Sequence, residues 1–236
     1  MADPRVVQGQ VVVDRDVDEG LRSYMLSVYN YMGLGLALTG LVALVVSQVP
    51  ALYEPILFSP LRWVVMLAPI GFVLFLSFRI QSMSFGTAQM TFWAYAALNG
   101  LSLSIIFLVY PIADISRILF ITAAVFGSMS LYGYTTKRDL SGWGSFLFMG
   151  LIGVIIASIV NIFLQSSMLH FVFSVVGMLV FVGLTAYDTQ SIKEMYHELD
   201  GSDVMGRKAI MGALRLYLDF INMFLIMLQF FGGNSE

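Results

Sequence analysis

The sequence predicts an all-α integral membrane protein with seven transmembrane helices, and three observations carry that prediction. Hydrophobic residues make up 58% of the 236 and charged residues only 11%, whereas a soluble domain carries about 25% charge. Mean hydropathy is +0.85. The apolar residues gather into seven stretches, each close to the roughly 20 residues that a bilayer core of about 30 Å requires. None alternates with period two, so helices are favoured over a barrel.

Taken in order, residues 1–20 read as a short cytoplasmic tail without fixed structure. Asp14, Asp16, Asp18 and Glu19 argue against a signal peptide or a mitochondrial transit peptide. The first span, 24–48, reads as an uncleaved signal anchor. Three prolines between Pro50 and Pro60 predict a loop before the second span, 61–80. The third and fourth spans are 88–109 and 115–134. Gly142-Trp143-Gly144 punctuates the approach to the fifth, 145–164. The sixth, 169–190, lacks breakers until Gly201, so it is expected to run on into the cytoplasm before the chain turns. The seventh is 209–231. The transmembrane domain is therefore 21–232, with a short C-terminal tail at 233–236.

Charge sets orientation. Arg5, Arg15, Arg22, Arg79, Lys137, Arg138, Lys193, Arg207 and Lys208 fall on one side of such a topology, and only Arg62 and Arg117 on the other. By the positive-inside rule the N-terminus is cytoplasmic and the C-terminus outside. Trp63 and Trp143 begin spans, where an interfacial aromatic belt would hold them. A net charge of −3 argues against a nucleic-acid partner. With no cysteine there is no disulfide and no thiol chemistry. His170 and His197 are single and unclustered, a weak basis for a metal site. Glu194, Glu198, Asp200 and Asp203 read as a solvated face of the last linker. No phosphate-binding glycine loop and no nucleophile–base arrangement is present, and no cofactor is predicted.

Two acids remain. Asp219 lies near the middle of the seventh span and Asp188 ends the sixth. A carboxylate at bilayer depth costs roughly 2.5–3.5 kcal/mol on an insertion scale, so it usually lines a cavity or meets a partner. If the turn between the two helices centres near 202–204, equal rise per residue brings Asp188 level with positions near 218. Asp219 is one step away. Arg215, Asp219 and Asn222 share one face of the seventh helix, so Arg215 could instead neutralise Asp219 within its own helix. Arg79, at the cytoplasmic end of the second span, is either an ordinary snorkelling arginine or a removable counter-ion for the acids.

Four segments resemble one family. Ala186-Tyr187-Asp188-Thr189-Gln190 and Leu216-Tyr217-Leu218-Asp219-Phe220-Ile221-Asn222-Met223-Phe224 are similar to the sixth- and seventh-helix signatures of the Bax inhibitor-1 (transmembrane Bax inhibitor motif) family. Leu98-Asn99-Gly100-Leu101-Ser102 and Gly133-Tyr134-Thr135-Thr136-Lys137-Arg138-Asp139-Leu140-Ser141 match in the expected order. The resemblance implies a seven-helix fold whose C-terminal helix is central and wrapped by the other six. It implies a multi-pass protein of a bacterial inner membrane, acting as a pH-sensitive calcium leak. Asp188 and Asp219 map onto the family's pH-sensing dyad and Arg79 onto its latch, with Tyr187, Arg215 and Asn222 as supporting neighbours. Partners are then the lipid bilayer and calcium ions, and in some family members a membrane protease.

The chemistry is coherent. Two neighbouring carboxylates titrate as a pair. Ionised, Asp188 and Asp219 would attract Arg79 or bind calcium transiently through their oxygens; protonated, they would release both, so acidification is expected to loosen the Arg79–Asp188 contact and change the leak. Two rivals stand beside this. An intramembrane aspartyl protease would also use two aspartates, but Asp219 follows Leu216-Tyr217-Leu218 and not Gly-x-Gly, so no enzyme is predicted. A stress or cell-death regulator would act by capturing partners through the tail 1–20 or the linker 191–208.

Overall fold

Prolines and short polar caps cut the apolar chain into its helices. The structure, a computed structural model, describes residues 4–232, with side chains described from residue 19 onward except at 57. α1 is Pro4–Gln48, α2 Pro50–Phe58, α3 Leu61–Arg79, α4 Phe85–Leu103 and α5 Ile106–Val109. α6 is Ile112–Thr135, α7 Ser141–Leu164, α8 Ser167–Glu194 and α9 Ser202–Phe231. A 3-10 turn, Ile80–Ser82, follows α3, and no strand occurs among the described residues. Ser84 and Ser166 cap α4 and α8, accepting hydrogen bonds from the amides of Thr87 and Leu169, which satisfies donors that a helix start leaves open.

Seven of these segments are long and apolar enough to span a membrane, from Glu19–Gln48 to Ser202–Phe231. The protein is thus all-α and multi-pass, as the hydropathy predicts. Two details differ. The proline-rich segment before the second span is the short helix α2, not a loop: Pro50 occupies its first turn, where a missing N–H costs nothing. The third span, Phe85–Val109, is broken between α4 and α5, where Ser104 Oγ donates to the Leu101 carbonyl at 2.8 Å. The expected tail 1–20 lies mostly outside the residues whose side chains are described; its backbone belongs to α1 from Pro4. The C-terminal tail 233–236 lies outside the described residues.

α9 is the most buried span. In its most apolar window 67% of residues are buried, against 39% or less in the others and 11% in α7. It packs along α1, α4, α6 and α8. Among the described residues α7 packs along α8 and shares no extended packing with α9. Close approach between helices is made at glycines. A Cβ on Gly133 of α6 would stand 2.2 Å from the Ala186 carbonyl oxygen of α8, and one on Gly100 of α4 would stand 2.6 Å from the Thr39 carbonyl oxygen of α1.

One end of the bundle collects the basic residues and is tied by them. Lys193 Nζ donates to the Tyr134 carbonyl at the end of α6, at 3.0 Å. Arg207 donates to the Met83 carbonyl beyond α3, at 3.2 Å. Gln190 staples the α6–α7 loop, accepting from the Leu140 amide at 2.7 Å and donating to the Arg138 carbonyl at 2.8 Å.

Candidate functional site

The α8–α9 hairpin sets the depth of both acids. Gly212 of α9 lies against Ile192 of α8, and Lys208 Nζ donates to the Met195 carbonyl at 2.8 Å. The two helices therefore run level about a point near residue 202, although the linker itself is 195–201. The first turns of α9 reach past the end of α8, and the linker runs back beside them, held by the Lys208–Asp200 ion pair at 2.5 Å. This register brings Asp188 within about one helical turn of Asp219 in depth.

Depth alone does not make a pair; rotation does. Asp219 is buried, 4% exposed, and its carboxyl interacts side chain to side chain with that of Asp188, which is half-buried. Arg215, one turn before Asp219, acts electrostatically on both carboxyls. Yet among the described residues no ion pair within 4.0 Å joins Arg215 to either acid. Asp219 Oδ2 and the Tyr24 hydroxyl oxygen are the two buried side-chain atoms without a hydrogen-bond partner among the described residues, and Arg215 is near enough to influence both groups. An unpartnered buried polar atom costs about 1–3 kcal/mol, more when charged. A proton or a cation at the pair would supply the missing partner.

The acids open onto a crevice of about 990 Å³ between α7, α8 and α9. It exists because α7 packs on α8 and stands off α9. Arg215, Asp219, Asn222 and Gln229 all face it from α9, at helical spacing that keeps them on one side. Fourteen residues separate the first from the last, about 21 Å of helix rise, so the polar stripe covers most of a bilayer core. Asn222 Nδ2 donates to the Leu218 carbonyl of its own helix at 2.8 Å. Tyr187 also faces the crevice, its ring against Gly144 of α7, where a Cβ would come within 2.5 Å of it.

Of the residues singled out in the sequence, the structure brings together Asp188, Asp219, Arg215, Asn222 and Tyr187. Arg79 is elsewhere. It is exposed at the end of α3, does not line the crevice, and makes no ion pair with either acid among the described residues. α3 packs along α2 and α4, which keeps its C-terminal side chain away from α8. The described residues hold no cluster of three or more His, Cys, Asp or Glu side chains that could ligate a resident metal.

A second polar site carries no chemical signal in the sequence. Tyr217, two residues before Asp219, points to the opposite side of α9 and is fully buried. Its hydroxyl accepts from Asn99 Nδ2 of α4 at 2.7 Å and lies 2.7 Å from Thr39 Oγ1 of α1. Thr39 in turn donates to the Ala96 carbonyl at 2.8 Å, so the Tyr217 proton goes to Thr39. Asn99 and Tyr217 each lie in one of the family-like segments, but hydropathy gives neither a direction.

Comparison with known proteins places these features. A family profile described as "Inhibitor of apoptosis-promoting Bax1" matches residues 21–236. The chain is 48% identical over 218 residues to "Inner membrane protein YbhL" of Escherichia coli, covering 91% of this chain and 93% of that one. It is 49% identical over 224 residues to an uncharacterized protein of Rickettsia prowazekii, covering 94% of each. An uncharacterized membrane protein of Streptococcus pyogenes is 35% identical over 237 residues, with 95% and 98% covered.

Proposed function

The chain belongs to the Bax inhibitor family of membrane proteins, and we propose that it is a pH-sensitive calcium leak of a bacterial inner membrane, gated by protonation of the Asp188–Asp219 pair. One observation carries this reading: a buried carboxyl with an unpartnered oxygen faces a second carboxyl at the wall of a membrane-depth crevice. Ionised, the pair holds positive charge, either the Arg215 guanidinium or a calcium ion taken up by its oxygens. Protonated, it holds neither, and α8 is no longer drawn to α9. The polar stripe from Arg215 to Gln229 supplies the rest of a route along α9. The counter-charge belongs to Arg215 in this reading, because it acts on both acids while Arg79 lies outside the crevice. A latch at Arg79 would require α3 to swing toward α8.

Peptide hydrolysis is the less supported reading. α8 and α9 continue as unbroken helix through Asp188 and Asp219, so neither borders irregular backbone on which an extended peptide could be held. A regulatory role has one observation in its favour: Leu199, in the linker at the basic end, is 87% exposed between Glu198 and Asp200, a foothold for a partner. Such a partner would leave the leak of the isolated protein unchanged.

The test is calcium flux in proteoliposomes across pH, comparing wild type with Asp188→Asn and Asp219→Asn. Asparagine mimics the protonated acid, so each variant is expected to hold the leak at the level wild type reaches at acidic pH. A wild-type pH response in both variants refutes the gate.

A further inference from the structure

The proposed leak draws on none of the residues that line the gap between α1 and α6. Among the described residues these two helices share no extended packing, and between them lies a groove of about 660 Å³. Its floor is closed by Phe126, which packs edge-on against Phe220 of α9 at 5.5 Å. Its length is kept open by Gly33 and Gly127, where an added Cβ would meet nothing within 4 Å. Its rim is apolar and exposed, with Leu26 at 52% and Leu131 at 63%. From Arg22 to Gly33 the groove follows α1 for about 16 Å of helix rise, the reach of one acyl chain down a leaflet.

The mouth is basic. Arg22 lines it, exposed, with no ion pair to its guanidinium among the described residues. Tyr134 lines it too, and Lys193 Nζ sits over the Tyr134 ring at 5.2 Å. The same end carries Arg138, Arg207 and Lys208. An unfilled apolar slot in a bilayer forfeits dispersion contacts along its walls, and hydrocarbon is the material at hand to fill it. Guanidinium at the headgroup level over an apolar slot selects an amphiphile with an anionic head.

We propose that the α1–α6 groove is a binding site for one anionic phospholipid, its phosphate on Arg22 and an acyl chain laid over Gly33 and Gly127. The site communicates with α8. Tyr29 in the groove wall is 2.6 Å from Ser130 Oγ, Ser130 is 3.0 Å from Thr189 Oγ1, and Thr189 adjoins Asp188. Lipid retention is measured without flux, so its outcome is independent of the leak.

The experiment is native mass spectrometry of the full chain released from nanodiscs holding phosphatidylglycerol and phosphatidylcholine in equal amounts. Wild type is expected to retain one phosphatidylglycerol about fivefold over phosphatidylcholine, the preference that one basic residue gives at an anionic surface. R22Q should bring the ratio to parity and R22K restore it. G127L, which fills open space, should abolish retention of both lipids. Equal retention by wild type, or unchanged retention in G127L, overturns the site. A dimer that G127L dissolves would also overturn it, by assigning the groove to a second copy of the chain. Because the wild-type ratio is itself decisive, the outcome does not hang on how the variants fold.

Discussion

Two polar sites lie two residues apart on α9 and face opposite ways. On one side, Tyr217, Asn99 and Thr39 form a knot in which the hydroxyl protons and the Asn99 amide each have an acceptor, and the chain ends on the Ala96 carbonyl. On the other, Asp219 keeps an unpartnered oxygen beside a second acid and a crevice. The knot joins α9 to α1 and α4, helices packed closely enough that Gly100 admits no side chain. The crevice separates α9 from α7. A satisfied buried network rigidifies, and an unsatisfied one is a place for exchange. α9 is therefore anchored on its α1–α4 side, and the proposed gate works on its α7–α8 side.

The largest effect expected is loss of the pH response. Asp219→Asn or Asp188→Asn should flatten calcium flux between neutral and acidic pH, whereas Tyr217→Phe should leave the response in place. If Tyr217→Phe also flattens it, the two faces are one site and the contrast fails. On stability the order reverses. Tyr217→Phe removes the acceptor of Asn99 and the proton given to Thr39, and should lower resistance to unfolding by about 1–3 kcal/mol, read from denaturation in detergent. Gly100→Ala forces α1 and α4 apart and should cost a comparable amount, about 1–3 kcal/mol.

Arg215→Gln should act between these. It removes the positive charge nearest the acid pair, so the midpoint of the flux–pH curve should shift. Arg79→Gln should leave that midpoint in place; a shift as large as that of Arg215→Gln would restore Arg79 as the counter-charge.

The smallest effect is expected far from both sites. Asp139 accepts from the Ser141 amide at 2.8 Å, which holds its carboxyl below the usual carboxylate range. A depressed folded-state pKa stabilises above the unfolded value and is lost as pH falls through the folded one. Asp139→Ala should therefore weaken the start of α7 slightly at neutral pH and make no difference in strong acid.

Much of the site is legible in the amino-acid sequence. The acid pair stands out because charge in hydrocarbon is costly and two such residues fall at similar distances from the turn expected near 202–204. Arg215 and Asn222 stand out because helical spacing puts them beside Asp219. The knot does not, because Thr39, Asn99 and Tyr217 are ordinary residues for a membrane helix and their meeting depends on three helices distant in sequence. The proline segment reads wrongly as a loop because Pro50 and Pro55 count as breakers, while Pro50 in a first turn is harmless and the short helix α2 carries Pro55 inside it.

Sequence alone sets the number of spans and their limits to within about seven residues, and puts the two acids on consecutive helices of one hairpin. Each follows from quantities that accumulate along one chain, hydropathy per residue and rise per residue. Packing settles what no single helix contains: that Asp188 and Asp219 turn toward each other, that Arg215 and not Arg79 stands over them, and that α7 and α6 leave open the crevice and the groove. Depth is a property of a helix, but rotation and neighbourhood are properties of packing.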